Sequence, residues 1–204
     1  MAGRGGVVDK VWDGYVPPEC YRNPTILRLN GNSIWEVAQE PIHEDIDLNK
    51  TCGIGPTMVF AKVVSEKDPE FGNDMIKRAA MAVRGSGTIR AILWYQGERD
   101  TLTLEEAKSY KSKLKKLFQD LRDDLNSSLL PIIQVALASG QGPFIEGVRE
   151  GQLGINPADV ITVDCLGLPL EPDGLHLGTL AQVQLGYKLA DAFVKARYTF
   201  KATQ

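Results

Sequence analysis

Cysteine, histidine and long apolar runs are what this chain has least of, and each shortage removes a class of explanation. There are three cysteines, at positions 20, 52 and 165. An odd, widely spaced set argues against a disulfide framework, and the absence of a Cys-x-x-Cys pair leaves no zinc signature. They read as free thiols of a reducing compartment, and no metal site is expected. No apolar stretch approaches the ~20 residues that span a bilayer, and the glycine-rich Met1–Val8 segment has no leader-like apolar core. The expected location is therefore cytoplasmic, with no membrane partner.

Charge of one sign is also missing. A net charge of -3 supplies no general attraction to nucleic acid. Lys111, Lys113, Lys115 and Lys116 crowd one segment and read as a solvated helix face. Nucleotide fingerprints fail as well. Gly3-Arg4-Gly5-Gly6 has no strand before it, and Gly85-Ser86-Gly87 reads as an ordinary turn. No Gly-x-Ser-x-Gly elbow is present. Ser86 and Ser139 have only their hydroxyls to recommend them as nucleophiles. No cofactor is expected.

What remains is a globular composition, 43% hydrophobic and 24% charged over 204 residues. Thr25–Leu29 is a short strand candidate closed by Asn30-Gly31-Asn32, and an irregular stretch follows to Gly55. Pro56 suits the first turn of a helix through Met58, Phe60 and Ala61; Met75–Val83 also reads as helix. Ile89–Tyr95, Pro131–Leu137 and Asp159–Asp164 read as strands, the first two mostly apolar and so buried. Thr103 and Glu106 form a capping box for a helix whose stripe is Ala107, Tyr110, Leu114, Leu117, Leu121 and Leu125, widened by Phe118. Phe144–Leu153 is a shorter helix. The last runs from Thr179, with Gln182 completing a second capping box, to about Arg197, with Leu180, Val183, Tyr187, Ala190 and Val194 facing inward. Strands alternating with helices predict a single α/β domain over residues 1–204, with a mainly parallel sheet covered on both faces. Function then collects in loops beyond the strands' carboxyl ends.

Two such loops carry chemistry. In Pro172-Asp173-Gly174-Leu175-His176-Leu177 a carboxylate precedes a histidine by three residues. One turn can set Asp173 against one ring nitrogen, leaving the other as a base with an ordinary pKa of ~6.5. The plainer alternative is an Asp173 that shapes the turn and a His176 bonded to backbone. In Tyr95-Gln96-Gly97-Glu98, the Gln96 amide can stabilise a developing oxyanion, Gly97 permits close backbone approach, and Glu98 can bind substrate or hold the loop. The alternative there is a polar strand-end loop. His43 receives no role.

Met1-Ala2-Gly3-Arg4-Gly5, Gly53-Ile54-Gly55-Pro56, Trp94–Glu98, Pro131–Ser139 and Gly167–Gly186 together resemble the plant branch of the SGNH-hydrolase superfamily. Its members are carbohydrate esterases related to sialate O-acetylesterase and acetylxylan esterase. The resemblance implies a three-layer α/β/α fold of flavodoxin-like kind. It also implies metal-free removal of O-acetyl groups from sugars, with His176 as base, Asp173 as its orienter, and Gln96, Gly97 and Glu98 at the oxyanion or substrate. Three features depart from the family. The serine of its Gly-Gln-Ser-Asn motif would fall before Met1, as would the first core strand. Val63–Asn73 is too short and polar for the expected strand and glycine-bearing loop. Arg99 replaces a small hydroxyl residue. The expectation is an esterase whose sequence here is truncated. The competing expectations are a non-catalytic binding protein for acetylated glycans and an inactive fragment.

Overall fold

The computed structural model describes residues 3–67, 89–155 and 160–201, the last five in backbone only. The fold is mixed α/β, and its residues group into two compact units. One runs from Ile89 to Leu168. The other combines Ala2–Thr88 with Pro169–Gln204.

The second unit begins with two antiparallel hairpins. Strands β1 (Val7–Val8) and β2 (Val11–Trp12) form the first, and β3 (Leu27–Leu29) and β4 (Trp35–Val37) the second. Asn30 makes the second turn: its Oδ1 accepts from the N–H groups of Asn32 and Ile34 at 3.0 and 2.9 Å. Register places Arg28 opposite Glu36, and the two form an ion pair at 2.5 Å. The turn read from the sequence is thus a hairpin turn, and β4 lies in the stretch expected to be irregular.

Helix α1 (Thr57–Lys67) follows Pro56, as the sequence predicts. The helix expected over Met75–Val83 lies outside the described residues, as do Gly85, Ser86 and Gly87. The C-terminal helix, Thr179–Lys201, is called α4 here, after the two helices of the other unit. It packs on α1, with the rings of Phe60 and Phe193 edge to face at 5.7 Å. Two expectations for α4 are corrected. Gly178, not Thr179, holds the N-cap position, because its carbonyl accepts the first helical bond, from Gln182 at 2.9 Å. The expected inner face holds in part: Val183 and Ala190 are buried, together with Ala181, Leu185, Leu189 and Phe193, while Leu180 and Tyr187 are exposed.

The Ile89–Leu168 unit holds a three-stranded parallel sheet. Its order is β5 (Ile92–Trp94), β6 (Ile132–Ala136), β7 (Val160–Asp164). All three strands fall inside the predicted segments, each shorter than predicted. The crossovers are α2 (Leu104–Asp124) and α3 (Ile145–Leu153). Thr103 caps α2 as expected, its Oγ1 accepting from the Glu106 N–H at 3.2 Å. The predicted α2 stripe is buried at Ala107, Tyr110, Leu114 and Phe118, and Leu125 ends exposed just past the helix. Every residue of β6 is buried. Among the described residues the strands therefore form three separate small sheets, one parallel and two antiparallel. A single mainly parallel sheet is more than they display.

Candidate active site

The turn carrying His176 is built before its chemistry begins. Leu170 and Leu177 pair as an antiparallel bridge, the Glu171 N–H donates to the His176 carbonyl at 2.7 Å, and the Gly178 N–H donates to Pro169 at 3.0 Å. Gly174, at φ +66°, reverses the chain where a side chain would be strained. Inside this turn Asp173 uses its oxygens differently. Oδ1 accepts the N–H groups of Leu175 and His176 at 2.9 and 3.0 Å, and Oδ2 lies 2.6 Å from His176 Nδ1. Burial pushes the Asp173 carboxyl up. The His176 ring and the two N–H donors overcome this and hold it at about 2. An ionised acid on Nδ1 keeps the proton there, which makes Nε2 the basic nitrogen. The His176 side chain is 23% exposed, neither free in solvent nor sealed in the core.

Glu171 extends this turn to the N-terminal segment. Its Oε1 accepts the Gly6 N–H at 2.7 Å. Gly3, Gly5 and Gly6 are tied in turn: the Gly5 N–H donates to Ile54 at 3.0 Å, the Ile54 N–H to Gly5 at 2.9 Å, and the Gly53 N–H to Gly3 at 2.9 Å. A Cβ on Gly3 would sit 2.4 Å from the Gly55 Cα, so only glycine allows this approach. Sequence reasoning excluded this glycine run as a nucleotide fingerprint and used it only as one carrier of the family resemblance. The glycine pattern was the available signal, and what it marks is a backbone crossing. Glu171 carried no signal of its own.

Gln96, Gly97 and Glu98 follow β5 in the other unit. The Gln96 amide donates to Asp100 Oδ2 at 2.7 Å, so one of its two hydrogens is already engaged. The Gln96 carbonyl accepts from the Tyr110 hydroxyl at 2.8 Å and from Gln152 Nε2 at 3.1 Å. Gly97 takes φ +135°. Glu98 is 7% exposed, and its carbonyl accepts from Thr101 Oγ1 at 2.7 Å and the Gln141 N–H at 2.9 Å. The Glu98 backbone thereby helps to hold the loop. Burial pushes the Tyr95 hydroxyl up, with the Glu98 and Cys165 charges adding, and burial pushes Tyr110 up to about 12. Arg99 opens a short 3-10 turn, Arg99–Thr101, with its side chain exposed. Ser139 is buried.

Comparison with known proteins gives the family. The chain is similar to a probable carbohydrate esterase of Arabidopsis thaliana, 45% identical over 225 residues that span 95% of this chain and 86% of that protein. The aligned length exceeds the 204 residues here, so that relative has positions with no counterpart in this chain. The X-ray structure of the Arabidopsis protein superposes with a TM-score of 0.86 at 44% identity, covering 96% of this chain and 93% of that one. A carbohydrate acetylesterase of Xanthomonas citri shares the fold alone, with a TM-score of 0.50 at 13% identity over 81% of this chain and 46% of that one. The model of the family described as carbohydrate esterase, sialic acid-specific acetylesterase, matches residues 1–73 and 67–195, across both units. A match over nearly the whole length, joined to a close structural relative, places the chain in that carbohydrate esterase family, whose members are carboxylic ester hydrolases.

Proposed function

We propose that this chain is the base-and-oxyanion part of an enzyme that removes O-acetyl groups from sugars by a Ser-His-Asp route. The observation that carries the reading is the double hold of Asp173 on His176, one oxygen on the backbone and the other on Nδ1. That arrangement orients an imidazole and stabilises its protonated form during reaction. The Glu171–Gly6 bond adds support, because it ties the His176 turn to the segment that follows the serine motif in the family.

In the proposed reaction a serine oxygen attacks the acetyl carbonyl while His176 Nε2 takes its proton. The tetrahedral oxyanion is held by the remaining Gln96 amide hydrogen and by backbone N–H groups, including that of Gly97. Collapse breaks the ester bond, and His176 returns the proton to the departing sugar oxygen. Water then attacks the acyl-serine with His176 again as base, releasing acetate and restoring the serine. The serine of this reading is that of the family's Gly-Gln-Ser-Asn motif, which the 204 residues do not contain. The family match over residues 1–73 and 67–195 supports reading the chain as one esterase domain, for which the resemblance implies a three-layer α/β/α fold. Cys20, Cys52 and Cys165 are buried and form no disulfide, which suits a reducing, cytoplasmic setting.

The test is acetyl-ester hydrolysis by the chain extended through its upstream reading frame, with His176→Ala beside it. The reading predicts acetate release from O-acetylated sugars and its loss in the variant. A rate unchanged by His176→Ala would sink it. Selective binding of acetylated over deacetylated oligosaccharide without turnover would favour a binding protein.

A further inference from the structure

A closed set of hydrogen bonds lies under the Gln96–Glu98 loop and ties it to α2, α3 and the end of β6. Gln152, on α3, is 1% exposed and Tyr110, on α2, is 3% exposed. Gln152 Nε2 donates to the Gln96 carbonyl at 3.1 Å and to the Tyr110 oxygen at 3.3 Å, and the Tyr110 hydroxyl donates to the same Gln96 carbonyl at 2.8 Å. Gln152 Oε1 accepts the Leu137 N–H, just past β6, at 3.0 Å. This last bond fixes the orientation of the amide, since a flip would set NH2 against N–H. Both amide hydrogens, the hydroxyl hydrogen and both lone pairs of the Gln96 carbonyl are then engaged. Below it, Gln134 Nε2 donates to the Gln152 carbonyl at 2.6 Å and to Thr162 Oγ1 at 2.8 Å, which joins the clamp to β6 and β7.

An apolar pair would avoid burying an amide and a hydroxyl, but would leave the Gln96 carbonyl and the Leu137 N–H without these partners. What the polar pair adds is direction. The Gln96–Gly97 peptide is trans, so its N–H points opposite to its carbonyl. Anchoring the carbonyl on Tyr110 and Gln152 turns the Gly97 N–H away from them. Gly97 also fits because a Cβ there would lie 3.0 Å from the Tyr110 oxygen and 3.2 Å from Gln152 Nε2, at a φ that favours glycine.

We propose that Gln152 and Tyr110 are positioning residues for the esterase reaction, fixing the Gln96–Gly97 peptide so that Gly97 N–H and the Gln96 amide keep the direction the oxyanion requires. This rests on the reading under Proposed function. Neither side chain touches the reacting atoms. They act through a single peptide plane.

The experiment compares Tyr110→Phe and Gln152→Met with the parent. In the full-length enzyme acting on p-nitrophenyl acetate, both variants lower kcat about 10- to 100-fold while KM moves less than about threefold. The pH at half-maximal rate on the acid limb stays fixed, because His176 is untouched. In the 204-residue chain, 15N-labelled, the Gly97 and Glu98 amide signals shift and their exchange with deuterium quickens, while the His176 amide is unmoved. Unchanged kcat in folded Tyr110→Phe overturns the proposal even if Gln152→Met fails to fold, and so do unmoved Gly97 and Glu98 signals. A parent with no acetyl-ester activity but with the predicted amide response overturns the esterase reading and with it the catalytic half of this one, leaving the clamp as loop architecture.

Discussion

Asp173 holds His176 at two points, its Oδ1 3.0 Å from the backbone nitrogen and its Oδ2 2.6 Å from ring Nδ1. The turn and the tautomer are thus set by one carboxylate. Because that carboxyl sits at about 2, it remains ionised through the acid range in which an imidazole titrates. Asp173→Asn separates the two tasks. The amide oxygen can still accept the two N–H groups, but its NH2 faces Nδ1 and moves the ring proton to Nε2, where the base is needed. We expect kcat/KM for an acetyl ester to fall about 10³–10⁴-fold with little change in melting temperature. Steady-state kinetics with a circular-dichroism melt checks this, and a loss below tenfold would mean that Asp173 only shapes the turn.

Glu40 predicts a pH dependence of a different sign. Its Oε2 accepts the Ile42 N–H at 3.0 Å, and its Oε1 is buried with no partner among the described residues. Burial raises the carboxyl from 4.5 to about 7, against the pull of N–H groups from Ile42 and Gly55. A folded-state value above the unfolded one means stability is full below about 4.5 and is lost as pH climbs through 7. The loss amounts to about 3 kcal/mol at most, from about 1.36 kcal/mol per pH unit. Glu40→Gln cannot ionise. Urea unfolding at pH 5 and pH 8 should show the parent losing about 2–3 kcal/mol more than the variant between those conditions. Parallel losses would show that Glu40 ionises freely in the folded protein.

How much of this was legible in the sequence depended on whether one physical signal dominated. Strands β5, β6 and β7 were found because apolar runs bounded by turns have few other uses. The Asp173–His176 pair was found because an i, i+3 spacing around a glycine can close locally. Helix α4 was located with its face only partly right, correct at Val183 and Ala190 and wrong at Leu180 and Tyr187: apolar residues occur all around it, so periodicity admits two faces. Its true face is fixed by the small residues that let α1 approach. Strands β1 and β2, two residues each, are too short to carry a pattern. Glu171, Gln152 and Tyr110 act through contacts distant in sequence, which no spacing encodes.

Arg149 and Asp164 offer a test of buried charge. Arg149 is 4% exposed, and its two terminal nitrogens each meet one Asp164 oxygen at 3.0 Å, with Nη1 also bonded to the Leu137 carbonyl. The planar fork suits a bidentate carboxylate. Asp164→Asn removes the negative charge and one of the three oxygens that the buried guanidinium meets, setting an NH2 against it, and removal of one partner is costlier than the pair is worth. Since the Asp164 side chain is 46% exposed, water recovers part of the loss. We expect destabilisation of about 1–3 kcal/mol, read as a lower urea midpoint at unchanged slope. An unshifted midpoint would show that the Leu137 carbonyl and solvent suffice for Arg149.

Gly186 sets two opposing effects against each other. Within a long helix, glycine to alanine ordinarily gains about 1 kcal/mol through backbone propensity. Here a Cβ would lie 2.6 Å from the Val59 Cβ and 2.7 Å from the Pro56 carbonyl oxygen, both on or next to α1. Neither atom is the far end of a flexible side chain, so relief requires the two helices to separate. Overpacking of this kind costs about 1–3 kcal/mol, and opening the Phe60–Phe193 contact adds to it. The steric effect exceeds the propensity gain, and Gly186→Ala should lose about 1–2 kcal/mol net. Its urea midpoint should fall, while Tyr187→Ala, one residue on and 43% exposed, should move it far less. A rise in the midpoint of Gly186→Ala would mean that propensity wins, and that α1 and α4 pack more loosely than a shared glycine contact implies.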